Sequence, residues 1–211
     1  MLVEGNSSTV ADALAALAAG DAIVYPTETF YALGVDALSS KALERLFAIK
    51  GREPGKPVAL IAADTAMAFA VAREVPAQAR VLAEAFWPGP LTLVLPARDE
   101  IPAALIGDDG GVGVRVSSHP LARALAAALR GPLTATSANL AGEPPAVEPT
   151  AARSALGDKV KVFVEDGKLA GGAPSTVVAI DRSGMRVLRP GAVSEHQLAA
   201  ALKGTAHRGE A

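Results

Sequence analysis

The run VALIAA, Val58–Ala63, constrains the fold more than any other segment, because neither strand face of it carries a polar side chain. A strand of that kind is covered on both sides, which calls for a layered α/β arrangement rather than a sheet with one wet face. The rest of the chain supplies the layers. Short apolar runs, AIVY at 22–25, LTLVL at 91–95, GVGVRV at 111–116 and STVVAI at 175–180, alternate with segments of helical period. There is no repeat period and no low-complexity linker, so the expectation is one α/β domain over residues 1–203. The last residues, GTAHRGEA at 204–211, read as a frayed, flexible tail.

Helix punctuation is local and specific. Val10, Ala13, Leu14 and Leu17 form the stripe of a helix near Thr9–Ala19 that Gly20 closes. Ser39 or Ser40 caps a second helix whose stripe of Leu43, Leu46 and Phe47 is completed by Lys50. Further helices are predicted at Ala77–Phe86, after a capping Ser118 with Pro120 in the first turn and Gly131 past the end, and near Thr150–Leu156. Ser194 and Gln197 form a capping box for the last helix. VKVFVE at 160–165 reads as a strand, and STVVAI pairs with MRVLRP around Asp181 to Gly184. Within GVGVRVSS the valines 112, 114 and 116 share one face, while Gly113, Arg115 and Ser117 share the other.

Composition then removes several chemistries. Half of the 211 residues are hydrophobic, enough for a substantial core, and there is no cysteine. Thiolate nucleophiles, disulfides and common structural zinc sites go with it, and neither zinc nor a redox cofactor is expected. A net charge of −2 argues against a surface given wholly to nucleic acid. Apolar segments too short to span a bilayer and an N-terminus without a basic region predict no membrane association and a cytoplasmic protein. GREPGKP is no Walker loop: three residues, not four, separate its glycines, and Pro57 follows Lys56. GGVGVRV leads into a strand, not a helix N-terminus. With no G-x-S-x-G, and with His119, His196 and His207 near helix starts or in the tail, neither a hydrolase triad nor a histidine metal site is expected.

What remains are polar residues at strand ends. YPTETFYALG, 25–34, places a polar knot after the first strand. Lys50, Arg52 and Lys56 put three cations in one Gly/Pro turn, and the register of Lys50 sends its stem across the core edge, where its ammonium needs an anionic partner. Arg52 adds a planar fork suited to phosphate or carboxylate. Thr136 to Asn139, TSAN, supplies hydroxyl and amide groups just after a strand. The plain alternatives are a solvated basic turn, an exposed strand position for Arg115 and an ordinary Ser/Asn turn.

Together, YPTETFYALG, KGREPGKP, WPGPLTLVL, GVGVRV, TSANLAGEPP and STVV followed by VLRPG resemble, in the same order, the YrdC/Sua5 family of L-threonylcarbamoyladenylate synthases. The resemblance covers roughly residues 10–200 and is to the short, single-domain YrdC type. It implies a twisted α/β sandwich around a large concave, positively charged cleft. It also implies a reaction that combines ATP, with Mg²⁺, L-threonine and bicarbonate into threonylcarbamoyl-AMP and pyrophosphate. A downstream threonylcarbamoyl transferase complex then modifies adenosine 37 of tRNA; direct tRNA contact is left open, as are the metal ligands. By the same resemblance Thr29, Arg115 and Ser175 bind L-threonine, Arg115 holding its carboxylate. Lys50, Arg52, Lys56, Ser137, Asn139 and Arg189 bind the nucleotide, with Lys50 and Arg52 catalytic. Glu28 and Asp36 stand near the site without an assigned role. Two positions depart from relatives: Ile61 replaces a histidine of some longer members, and Ala32 a usual glycine. Competing readings are a YciO-like paralogue acting on a related carbamoyl adenylate, and a non-catalytic RNA-binding module.

Overall fold

The computed structural model describes residues 8–51, 58–140, 142–182 and 184–206. Nine strands, β1 (Ile23–Pro26), β2 (Tyr31–Gly34), β3 (Ala59–Ala62), β4 (Leu91–Pro96), β5 (Gly111–Val116), β6 (Leu133–Ser137), β7 (Val162–Phe163), β8 (Thr176–Asp181) and β9 (Gly184–Arg189), form one mixed sheet. Their order is β7-β1-β2-β6-β3-β5-β4-β8-β9. The helices are α1 (Val10–Ala18), α2 (Ser40–Lys50), α3 (Thr65–Ala70), α4 (Ala77–Phe86), α5 (Pro120–Leu129), α6 (Pro149–Leu156) and α7 (Glu195–Ala206).

Of the predicted caps, Ser39 caps α2, and Ser194 and Gln197 exchange hydrogen bonds at the start of α7; a capping box of Thr9 and Asp12, not anticipated from sequence, opens α1. Ser118 does not cap α5. His119 is its N-cap, because Pro120 occupies the first helical position and holds the residue before it in extended backbone. At the far end Arg130, not Gly131, takes the left-handed conformation, at φ 59°. β7 is shorter than predicted, only Val162 and Phe163 pairing with β1. Gly204 to Ala206, predicted as tail, lie in α7, and 207–211 lie outside the described residues. None of the described helices is long and apolar enough to cross a membrane.

Two apolar clusters flank the sheet, as the uninterrupted VALIAA run requires. One gathers Leu43, Leu46 and Phe47 of α2, Leu82 of α4 and the three valines of β5. The other joins Ala13 and Leu17 of α1 with Ala122 and Leu125 of α5, over Ile23, Tyr25, Ala32, Ile61 and Leu133. α1 and α5 therefore cover one end of the second face, and its remainder, across β5, β4, β8 and β9, is the floor of a cavity.

Candidate functional site

The cavity encloses about 880 Å³, within the size range of small-molecule sites. Strand alternation selects its floor: Gly111, Gly113 and Arg115 of β5 face it together with Thr92 and Val94 of β4, opposite the core-facing valines. Gly113 keeps that floor low; a Cβ there would lie 3.3 Å from the Thr92 methyl. Thr29, Arg115, Ser175, Ser137, Asn139 and Arg189 all line this one space. Lys50 is not among the described lining residues, and Arg52 and Lys56 lie outside the described residues. The described lining also balances Arg115, Arg186 and Arg189 against Asp108, Asp109 and Glu143.

The polar knot after β1 is a hydroxyl-braced turn. Thr27 Oγ1 donates to the Phe30 carbonyl at 2.7 Å and accepts from the Thr29 and Phe30 amides at 3.3 Å each. The Thr29 hydroxyl stands 3.2 Å from that of Thr27. Glu28 projects from the same turn to Arg115, whose Nη1 donates to Oε1, and to Ser117, whose hydroxyl donates to Oε2. Arg115 is 6 % exposed, so its carboxylate partner is what makes its charge tolerable there. Sequence reading placed Glu28 nearby without a role and put Ser117 on the Arg115 face. The period of two was the available signal for the latter; nothing local announces a partner 87 positions away.

Behind this pair, Tyr25 donates to the Thr134 carbonyl at 2.9 Å. Burial pushes its phenol up, Arg115 opposing and Glu28 reinforcing the shift. Gly34 makes room for the ring, since a Cβ would meet Tyr25 Cε1 at 2.5 Å.

On the opposite wall Ser175 Oγ lies 3.0 Å from Thr92 Oγ1, and Arg189 Nη2 donates to the Ser175 carbonyl at 2.8 Å and its hydroxyl at 3.1 Å. A β-bulge directs Arg189 there. Val178 pairs with Val187 but Val177 with Arg189, so Leu188 is the extra residue, and adjacent Leu188 and Arg189 both line the cavity. Thr92 and this bulge were missed from sequence. Burial first, and then the like charge of Arg115, holds Arg189 below the usual guanidinium range. Two cations that raise each other's cost in one cavity favour an anion between them.

Lys50 is 7 % exposed, as its place in the α2 stripe predicts. Its described partners include three carbonyl oxygens: Ser137 O at 2.9 Å, Asn139 O at 2.6 Å and Asn139 Oδ1 at 2.9 Å. Asp36 is not among the described residues lining this cavity; its Oδ1 accepts from the Leu38 amide in a turn. Ile61 is fully buried beside Arg115 in register, and Ala32 packs at the cavity wall.

The family Sua5/YciO/YrdC, described as "Telomere recombination", matches residues 15–191. A Chromohalobacter salexigens protein named threonylcarbamoyl-AMP synthase is 41 % identical over 83 % of this chain and 94 % of its own. The Pyrococcus abyssi Sua5 structure complexed with L-threonine superposes with a TM-score of 0.87 at 32 % identity, over 92 % of this chain and 57 % of that one. E. coli YciO superposes with a TM-score of 0.77 at 30 % identity, over 86 % of this chain and 88 % of its own.

Proposed function

The chain belongs to the Sua5/YciO/YrdC family, and on that premise we propose that it is an L-threonylcarbamoyladenylate synthase, a nucleotidyltransferase that joins L-threonine, bicarbonate and ATP. The observation that carries this reading is the convergence of Thr29, Arg115, Ser175, Ser137, Asn139 and Arg189 on one cavity from five separated segments. Its product, threonylcarbamoyl-AMP, is consumed by a transferase complex acting on adenosine 37 of tRNA, in the cytoplasm.

In this reading the Arg115 end takes the amino acid. Its planar fork suits the threonine carboxylate, and Glu28 fixes one arm of that fork. Thr29 and Ser175 offer hydroxyls to the substrate's polar groups. The threonine amine attacks the carbon of bicarbonate, water leaves, and N-carboxythreonine forms. A carboxylate oxygen of this carbamate attacks the α-phosphorus of ATP, and the bond from that phosphorus to the bridging oxygen breaks to release pyrophosphate. Ser137, Asn139 and Arg189 form the nucleotide end, to which the sequence resemblance also assigns Arg52 and Lys56. There, fixed donors meet charge that grows on the departing pyrophosphate. The enclosed floor orients the reactants and limits hydrolysis of the mixed anhydride.

Mg²⁺ fits as an ion carried by the triphosphate. No cluster of three metal-ligating side chains occurs among the described residues, and Mg²⁺ bound through phosphates and water needs only one or two carboxylates. Of the lining carboxylates Asp108, Asp109 and Glu143, one or two would hold it, and it would neutralise phosphate charge.

The test is incubation of the protein with ATP and Mg²⁺, with and without threonine and bicarbonate, followed by mass spectrometry. Pyrophosphate and threonylcarbamoyl-AMP appearing only with both co-substrates is the expected result. A folded protein that makes neither overturns the reading in favour of a paralogue with another carbamoyl adenylate, or of an RNA-binding module if it shifts RNA in a salt-sensitive way.

A further inference from the structure

Lys50 ends α2 one helical turn beyond Phe47, and Gly51 turns the chain away at φ 58°. Its ammonium therefore enters the protein beneath the end of β6 rather than the cavity. An ammonium has three hydrogens and no lone pair, and three oxygens of one turn stand at 2.6 to 2.9 Å from it. Ser137 and Asn139 of that turn line the cavity.

The turn has further ties. The Ala138 amide donates to the Tyr31 carbonyl at 2.9 Å, and the Leu140 amide to Glu143 Oε2 at 3.2 Å. The Ser137 hydroxyl donates to Asn139 Oδ1, and Asn139 Nδ2 donates to the Glu143 carbonyl. The Ser137 hydroxyl does not decide which end of the Asn139 amide faces Lys50, because a hydroxyl can donate or accept. The Glu143 carbonyl, which only accepts, and the Lys50 ammonium, which only donates, both demand the same orientation, with Nδ2 toward Glu143 and Oδ1 toward Lys50. With Oδ1 committed to Lys50, Nδ2 keeps one hydrogen beyond the bond to Glu143.

We propose that Lys50 is a positioning residue that clamps the Ser137–Asn139 turn and, together with the Glu143 carbonyl, holds the Asn139 amide so that it offers an N–H, not a carbonyl, to a nucleotide phosphate. The inference rests on the reading of this turn as part of the nucleotide end. It changes the part assigned to Lys50, from direct stabilisation of the reacting phosphates to action through Asn139.

The first measurement needs no nucleotide. In full-length protein carrying ¹⁵N-labelled lysine, amine-selective NMR should show a Lys50 ammonium signal protected from exchange, and adding a non-hydrolysable ATP analogue should leave its protection unchanged. A Lys50 signal that is unprotected in free protein and becomes protected only with the analogue overturns the proposal. The second measurement is a binding cycle by calorimetry with the same analogue. Lys50→Met alone should weaken binding about tenfold, and in an Asn139→Ala background it should add little, because the two act as one unit. An equal further loss in that background places Lys50 on the phosphate directly and also overturns the proposal. If Lys50→Met does not fold, the wild-type NMR result still decides. If wild-type protein binds no ATP analogue, the nucleotide reading fails while the clamp is still visible in the free-protein spectrum.

Discussion

Arg115 and Lys50 are equally hidden cations, 6 % and 7 % exposed, beside one cavity, yet the described partner of Arg115 is a carboxylate while those of Lys50 are carbonyl oxygens. A carboxylate partner is the same kind of group as the proposed substrate's own carboxylate, so Arg115 is built to share its fork between an internal and an incoming acid. Two of the three carbonyl-type oxygens around Lys50 belong to the backbone and cannot exchange. One cation is thus poised for recognition, the other for holding a turn in shape.

The sharpest way to break this comparison is to remove the carboxylate. Glu28→Ala leaves the Arg115 charge buried and should cost about 3–5 kcal/mol in urea unfolding, whereas Arg115→Met combined with Glu28→Gln should recover most of the loss. A loss below about 1 kcal/mol would mean that Arg115 does not depend on Glu28. Lys50→Met should cost less, about 1–3 kcal/mol, because the abandoned oxygens are neutral acceptors that water can reach more cheaply than a stranded charge. If it proves as costly as Glu28→Ala, the two environments are not different in kind. Ser117→Ala removes only the hydroxyl that steadies Glu28 and should cost about 1–2 kcal/mol while raising the KM for threonine more than that for ATP. Unequal effects in the opposite sense would detach Glu28 from the amino acid end.

The smallest effect concerns Tyr25 behind the pair. Burial raises its phenol above the ordinary value of about 10, so the folded protein keeps a proton that the unfolded chain releases. That contribution is fully present below pH ~10 and is lost as pH climbs toward the folded-state value. Tyr25→Phe should cost about 1 kcal/mol near neutrality and flatten the alkaline fall in stability. Glu28→Gln should make that fall smaller, since without the Glu28 charge the folded-state value of Tyr25 moves back toward the unfolded one.

Local pattern made much of this legible. The heptad-like spacing that buried Lys50, the alternation that turned Arg115 from the valines, and the Ser194/Gln197 box all act within a few residues. What sequence could not convey acts across the chain. Glu28 meets Ser117 over 89 positions and Thr92 meets Ser175 over 83, distances at which no periodicity carries information. The bulge at Leu188 shifts the parity of β9, so alternation read from Val187 would send Arg189 away from the face it occupies. Lys50 shows the same limit: burial demands a partner for its ammonium, and nothing local announces that carbonyl dipoles from a distant strand end help to meet that demand.

The placement of β6 governs how the chain reaches its fold. β6 lies between β2 and β3, pairing with both. A nascent polypeptide that stops before Leu133 has made both neighbours and lacks the strand that joins them, so each presents an open edge of unpaired amides and carbonyls. Bonds such as Tyr25 to Thr134, 109 positions apart, and Val35 to Thr134, 99 apart, close only after most of the chain has been made. Slow, late closure is what such long-range pairing entails. During synthesis the half-built sheet is therefore most exposed to self-association just before its central strand arrives.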